Sequence, residues 1–334
     1  MNRFSYTRAN AVADAIAQHR ANAAAAFIAG GTNLVDLLRE DVARPKVLVD
    51  INRLPLKQIE ATPDGGLKIG ALVTNSAVAY NETVAARYPL LADAILAGAS
   101  AQIRNVATVG GNLLQRTRCH YFYDVGTPCN KREPGSGCPA LNGINRIHAI
   151  LGASEQCIAV HPSDMCVALA ALDATVHLDG KDGARTLAFA DFHRLPGDTP
   201  NLDTNLRDDE LVTAIELPMQ GFASHHAYVK VRDRASYAFA LVSAALGVEL
   251  DGDRIVAAHC ALGGVAHKPW RRPEAEARLR GKPLNAATVR EFAAELLRGA
   301  QGRPGNAFKI DLARRVIVRA FELATQRSFE EAAS

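Results

Sequence analysis

The sequence predicts an α+β chain: an α/β front part followed by a small α+β domain. Three observations carry this. Residues 1–60 alternate helical and strand patterns, the middle continues the alternation around a long irregular insert, and residues after 220 run strands first and helices afterwards. With 334 residues the chain is long enough for about two domains, each with its own core.

Ala11 to His19 carries a helical pattern, and Ala25 to Ala29 is a short apolar strand that stops at Gly30-Gly31. Leu34 to Glu40 is amphipathic, and Lys46 to Asp50 is a second apolar strand. This β–α–β opening predicts a mixed or parallel sheet. Farther on, Leu67 to Ala71 is a strand and Pro89 to Gly98 a helix. Asp164 to Asp173 is an Ala/Leu-rich helix with Asp164 in N-cap position, and Thr175 to Leu178 alternates as a strand. Pro196 to Asp209, rich in Pro, Asp, Asn and Thr, is expected to be a linker or long turn. Strands follow at Ala227 to Val231, Ala240 to Leu250 and Ile255 to Leu262. The stretch Ala286 to Ala333 is mostly helical, interrupted at Gly302-Arg303-Pro304-Gly305.

Composition narrows the function. Hydrophobic residues make up 48% and charged residues 22%, as in globular chains rather than disordered ones. A net charge of +3, from 38 basic and 35 acidic residues, is too balanced to point to nucleic acid or a membrane surface. No apolar run approaches the ~20 residues of a bilayer span, and the first residues lack the pattern of a secretory signal.

Two glycine turns stand out. Ala29-Gly30-Gly31-Thr32-Asn33-Leu34 joins a strand to a helix, with Thr32 or Asn33 as its cap, and Ile103 to Gln115 places Gly110-Gly111-Asn112 before an apolar run. Glycine lets backbone N–H groups approach an anion, and a pair of such turns suits a diphosphate held from two sides. Either turn alone is more often an ordinary strand-to-helix connection. His161-Pro162-Ser163-Asp164 places Asp164 where it could cap a helix or accept bonds from ligand hydroxyls. No Ser/His/Asp, Cys/His or paired-carboxylate arrangement stands out, so no catalytic residue is assigned.

Four of the six cysteines crowd into one window as C-x9-C-x8-C-x18-C: Cys119, Cys129, Cys138 and Cys157. They lie in or beside a stretch, 116–146, that shows no periodicity and is rich in Pro and Gly. Four thiolates bind zinc or an iron–sulfur cluster, and the spacing does not decide between them; disulfides and free thiols are the plainer alternatives. Arg116, Arg118, Lys131, Arg132 and Arg146, against Asp124 and Glu133, favour an anionic centre. Cys166 and Cys260 fall on apolar elements and are expected in the core.

These residues carry a resemblance. AGGTNL, IGALVTN at Ile69 to Asn75 and IRNVATVGGNLLQ resemble the FAD-binding subunits of molybdenum hydroxylases, the xanthine dehydrogenase and aldehyde oxidoreductase family. RTRCHYFYD, PCNKREPGSGCPA, CIAVHPSDM, VRDRASYAFALVS and LGGVAHKPWR are closer still to the [4Fe–4S]-containing flavoprotein subunits of bacterial periplasmic aldehyde oxidoreductases. The resemblance implies a vanillyl-alcohol-oxidase-type (PCMH-type) FAD-binding domain over residues 1–220, in two α/β subdomains, about 1–60 and 61–220, with a cluster insert at 116–157. It further implies a C-terminal domain like that of CO dehydrogenase flavoproteins over 221–334.

By matched motif, Ala26, Phe27, Ile28, Ala29, Gly30, Gly31, Thr32, Asn33 and Leu34 would line the FAD diphosphate, and Thr108, Gly110, Gly111 and Asn112 would form the second flavin turn. Asp164, Lys230 and Ile215 would also approach FAD, and Cys119, Cys129, Cys138 and Cys157 would ligate the cluster. In such a complex the aldehyde is oxidised at molybdenum on a large subunit. A small subunit with two [2Fe–2S] clusters passes electrons to FAD, and an external acceptor takes them; the extra cluster is a staple or part of the relay. The implied compartment is the periplasm, reached as a folded heterotrimer, with the cytoplasm as the alternative. A zinc-stapled scaffold without flavin and a stand-alone flavin oxidase are the competing functions.

Overall fold

The computed structural model describes residues 1–329, and they form three sheets, each with its own helical cover. The first sheet is parallel. Strands β1 (Ser5–Arg8), β2 (Ala25–Ile28) and β3 (Val47–Asp50) lie in the order β1-β3-β2. The helix Val12–Arg20 buries Ala15 and Ile16 against them, so the predicted β–α–β opening holds. The signal for β1 was missing because all four of its residues are exposed, which leaves no alternation to read.

The second sheet is antiparallel throughout. Strands β4 (Ile59–Ala61), β5 (Leu67–Gly70), β6 (Thr175–Gly180), β7 (Gly183–Ala188) and β8 (Leu211–Leu217) run in the order β4-β5-β8-β6-β7. Its core is filled by the helices Pro89–Ala97 and Asp164–Ala171, with Leu90, Leu91, Cys166 and Leu169 fully buried. The stretch Pro196 to Asp209 is a long turn inside this domain rather than a connection out of it. The chain runs from it into β8, a central strand of the same sheet. Ile215 sits in the middle of β8, paired with Ile69 and Val176 and wholly buried.

The third sheet, β9 (His226–Val231), β10 (Val242–Asp251) and β11 (Arg254–Gly263), is an antiparallel meander. The helix Phe308–Thr325 packs on it through Val316, Ile317 and Phe321, and the helix Ala286–Leu296 packs on that helix, Phe292 against Phe321. The expected break at Gly302–Gly305 lies between those helices, and residues 330–333 of the expected helical stretch lie outside the described residues. Cys166 and Cys260 are fully buried, as expected of core residues.

Candidate functional site

A cleft of about 660 Å³ opens where the three sheets meet, walled by both glycine turns, the start of the helix Asp164–Ala171 and the connection from β9 to β10. The two turns touch through backbone. A Cβ on Gly30 would lie 2.0 Å from the Val106 carbonyl oxygen, so only glycine allows that approach. Gly31 has φ +70°, the left-handed region.

The turns differ in what they leave free. Among the described residues no protein acceptor meets the backbone N–H of Gly31, Thr32 or Asn33. In the second turn Gly110 N–H donates to the Ala71 carbonyl (2.8 Å) and Gly111 N–H to Thr108 Oγ1 (3.3 Å). Thr108 thus caps the helix Val109–Leu113. What this turn turns toward the cleft is Gly111 itself. A Cβ there would meet only Thr108 Oγ1, at 3.1 Å, and would otherwise project into open space. Asn112 beside it donates to Asn75 Oδ1 (2.8 Å) and accepts from Ser163 Oγ (2.5 Å) and Gln115 (2.8 Å).

One predicted cap holds in position and the other is corrected. Asn33 stands at the N-cap of the helix Leu34–Arg39, but its Oδ1 accepts from Arg116 N–H (3.0 Å), tying the first turn to the cysteine insert. Ser163, not Asp164, caps the helix Asp164–Ala171 by accepting from Cys166 N–H (3.0 Å). That frees the Asp164 carboxylate for Lys230 Nζ (2.7 Å) and Tyr228 OH (2.6 Å), while Lys230 also donates to the Ala97 carbonyl (3.0 Å). Burial, reinforced by the Asp164 charge, pushes the Tyr228 hydroxyl well above its ordinary value and keeps it a donor.

Of the residues expected at the flavin, Thr32, Asn33, Gly111, Asn112, Asp164 and Lys230 line the cleft. Ala26, Phe27, Ile28, Ala29, Gly30, Gly31, Leu34, Thr108 and Gly110 stand behind that wall, and Ile215 lies in the core of the second sheet. Sequence reasoning gave no flavin role to Asp36, Asn75, Arg104, Arg118, Asp233, Arg234 or residues 237–241, which line it too. All of these but Asp36 lay inside quoted motifs, but nothing local distinguishes a wall residue from its neighbours. The Arg118 guanidinium lies over the Phe239 ring at 4.9 Å and bonds Asp36 (3.1 Å) and Tyr123 OH (2.7 Å).

The donor set fits an anionic, oxygen-rich dinucleotide. Asn33, Arg104 and Arg118 each hold a buried side-chain N–H without a protein acceptor, a cost of a few kcal/mol that a ligand oxygen would relieve. Together with the free amides of the first turn and the space over Gly111, they match FAD.

Behind the cleft, all four clustered cysteines line one smaller pocket, with Thr117, Phe122, Asn130, Lys131 and His148. The pocket and the cleft share three residues, Thr117, Cys119 and His148. All six cysteines are free thiols. The insert is less irregular than expected. It contains a helical turn, His120–Tyr123, and a 3₁₀ turn, Pro139–Leu141, started by Cys119 and Cys138.

Its anchors are charged side chains. Arg132 donates to the Tyr121 (2.6 Å) and Phe122 (2.8 Å) carbonyls. Lys131 Nζ, almost fully buried, reaches the Pro200 carbonyl (2.6 Å), His267 (2.6 Å) and Asp203. Arg116 also pairs with Asp203, Arg118 with Asp36 and Arg146 with Asp233. Of the five basic residues counted toward an anionic centre, Lys131 lines the pocket and the other four do not, and Lys131 too is paired with Asp203.

Burial pushes the Cys119 thiol up to about 12, and that of Cys157 up to about 11 against the pull of Lys131. Burial raises Cys138 as well. Backbone amides point at these sulfurs, Ala159 N–H toward Cys157 Sγ at 3.4 Å among them. Four thiols with amide donors, and no carboxylate beside them, fit a thiolate-bound metal centre whose binding drives off the protons.

A separate group, His161, Cys166 and His193, brings its ligand atoms within 4.8 Å of one another. Both imidazole Nε2 atoms face the Leu113 carbonyl, at 3.3 and 2.8 Å, which pins the end of the second glycine turn. Burial holds His193 down to about 4 and His161 well below its ordinary value, so both rings are neutral.

A family model for the FAD binding domain in molybdopterin dehydrogenase matches residues 2–220, and one for the CO dehydrogenase flavoprotein C-terminal domain matches residues 226–324. The chain is 50% identical over 318 residues to the aldehyde oxidoreductase FAD-binding subunit PaoB of Escherichia coli (strain K12), covering 95% of this chain and 96% of that one. It is 26% identical over 332 residues to the carbon monoxide dehydrogenase medium chain of Afipia carboxidovorans, covering 97% and 98%. Among solved structures, CO dehydrogenase from Oligotropha carboxidovorans matches with a TM-score of 0.76 at 25% identity, over 98% of this chain and 99% of that one.

Proposed function

The chain belongs to the FAD-binding subunits of the molybdopterin dehydrogenases, the aldehyde oxidoreductase and xanthine dehydrogenase family, and on that premise we propose that it is the FAD- and [4Fe–4S]-binding electron-transfer subunit of a molybdenum-dependent aldehyde oxidoreductase. The carrying observation is the shared wall: four thiols converge on a pocket bounded by residues that also bound the flavin cleft. Its partners in this reading are a large molybdenum subunit, where the aldehyde is oxidised, and a small [2Fe–2S] subunit. Together they form a heterotrimer in the periplasm that delivers electrons to an external acceptor.

The spacing of the thiols supports a cluster over zinc. Among the described residues the group with three or more ligand atoms mutually within 4.8 Å is His161, Cys166 and His193, so no three clustered thiols are that close. Tetrahedral zinc, with Zn–S near 2.3 Å, would draw its sulfurs to about 3.8 Å.

Bound FAD would accept electrons singly and release them in pairs. The chain's own residues hold and orient it. The free amides of Thr32 and Asn33 and the Asn33 side-chain amide would hold the phosphates, while Gly111 leaves room beside them. Lys230, fixed between Asp164 and the Ala97 carbonyl, brings a positive charge from the C-terminal domain to the cleft wall. Phe239, under Arg118, narrows the cleft beside it.

Iron, zinc, sulfide and flavin stoichiometry on anaerobically purified full-length protein tests this reading. About four irons and one FAD per chain are expected. One zinc with neither iron nor flavin would leave the scaffold reading in its place. Turnover of a small substrate without any molybdenum subunit would favour a stand-alone oxidase, and cell fractionation tests the compartment.

A further inference from the structure

His148 is the one side chain whose nitrogen contacts a clustered cysteine among the described residues: its Nε2 lies 3.1 Å from Cys119 Sγ. The ring is 1% exposed, and its Nδ1 has no hydrogen-bond partner. His148 is held from outside the insert. Asn306 Nδ2 (3.2 Å) and Lys309 Nζ (2.7 Å), both from the C-terminal domain, donate to its carbonyl. Its backbone N–H donates to the Asn145 carbonyl (3.0 Å). The ring therefore cannot swing freely, and it belongs to both the cysteine pocket and the flavin cleft.

The chemistry sets the proton. A Cys119 thiolate bound to a metal can only accept, so a lone pair at Nε2 would face a negative sulfur; the proton on Nε2 makes an N–H···S bond instead. Cys157 and Cys138 meet backbone amides, Ala159 N–H on Cys157 among them. Cys119 thus differs from them in having a side-chain donor, which substitution can remove.

Resting on the cluster reading above, we propose that His148 is a positioning and tuning residue for the iron–sulfur centre. Its Nε2–H hydrogen-bonds Cys119 Sγ, withdraws charge from that ligand and raises the cluster's reduction potential on the side facing the flavin. Hydrogen bonds to cluster sulfurs are among the terms that set such potentials, and each one stabilises the more negative, reduced state.

The test compares wild type, His148→Leu and His148→Gln as full-length protein purified anaerobically, using iron counts, an EPR-monitored redox titration of the cluster, and exchangeable-proton couplings after transfer to deuterated buffer. In His148→Leu the cluster signal is expected to titrate at a more negative potential and to lose one exchangeable coupling. In His148→Gln, whose amide N–H reaches a similar place, both should return toward wild type. A His148→Leu cluster with wild-type potential and couplings overturns the proposal. If His148→Leu holds no iron, His148→Gln decides: a retained coupling supports the proposal, and a cluster at wild-type potential without that coupling overturns it. A wild-type protein without iron overturns the cluster reading and this inference together, a result distinct from a cluster that is indifferent to His148.

Discussion

The cleft and the cysteine pocket share a wall but are built by opposite means. The cleft is made by the ends of regular elements. Strand β2, the helices Val109–Leu113 and Asp164–Ala171, and strand β9 present glycine turns and short polar side chains to it. Their backbone is fixed by the cores behind, so little else is needed to hold its shape. The pocket is made by an insert of two single turns and loops, and its geometry is held by Arg132 on carbonyls and by Lys131 and Arg116 on Asp203. A site on regular elements is ordered by hydrophobic burial, whereas a site on an irregular loop must be ordered by buried polar contacts and by the group it binds.

The sharpest break of that comparison is Cys129→Ser. Cys129 lines the pocket but not the cleft, so this variant should lose most of its iron, with FAD staying near one per chain. Equal loss of both cofactors would mean that the two sites are one cooperative unit. Gly30→Ala should come next. A Cβ 2.0 Å from the Val106 carbonyl forces the two glycine turns apart, costing about 3 kcal/mol. Denaturant unfolding would register this, together with lost flavin; an unchanged midpoint would show that the turns can separate freely.

Asp203→Asn tests the pocket's anchors. It leaves Lys131, buried, and Arg116 without their shared carboxylate, at about 3 kcal/mol. Burial alone would raise the Asp203 carboxyl, but the His267 hydrogen bond and the charges of Arg116 and Lys131 hold it well below 3.8. A depressed carboxyl stabilises the fold above its unfolded pKa. Wild type should therefore exceed the variant fully above about pH 4, and the gap should close as pH falls below that. A gap that persists unchanged to pH 2 would contradict the pairing. The smallest effect should come from Gly111→Ala, whose Cβ enters open cleft space. FAD affinity should fall about tenfold, or ~1.4 kcal/mol, with the melting temperature of the flavin-free chain unmoved; a shift in melting would place Gly111 in the fold rather than in the site.

Much of the fold was legible in the sequence because it rests on local pattern. The β–α–β opening, the helix Pro89–Ala97 and the three-stranded meander of the C-terminal domain each carry an apolar periodicity that the structure keeps. Of the strands that escaped, β1 and β7 are mostly exposed and show no such pattern, β4 is only three residues long, and β8 is buried on both faces and so lacks a clean alternation. The glycine turns and the cysteine cluster were visible as unusual residues in unusual numbers, and they come together around adjoining spaces.

Other features could not be read locally. That Ser163 caps a helix and frees Asp164 depends on which side chain reaches Cys166 N–H. That Asn33 turns to Arg116, 83 residues away, depends on the insert folding back over the first turn.

The sequence by itself determined which chemistry is present: glycines able to approach an anion, four thiols within one window, and a chain patterned into an α/β front and an α+β end. Tertiary structure decided where that chemistry acts. It spent most of the insert's basic side chains on distant carboxylates and carbonyls, left free amides in one glycine turn and not the other, and set His148 between two sites. The physical reason is range. Backbone propensity and hydrophobic periodicity act over a few residues, whereas buried hydrogen bonds and ion pairs are satisfied by whatever the packed fold brings within reach.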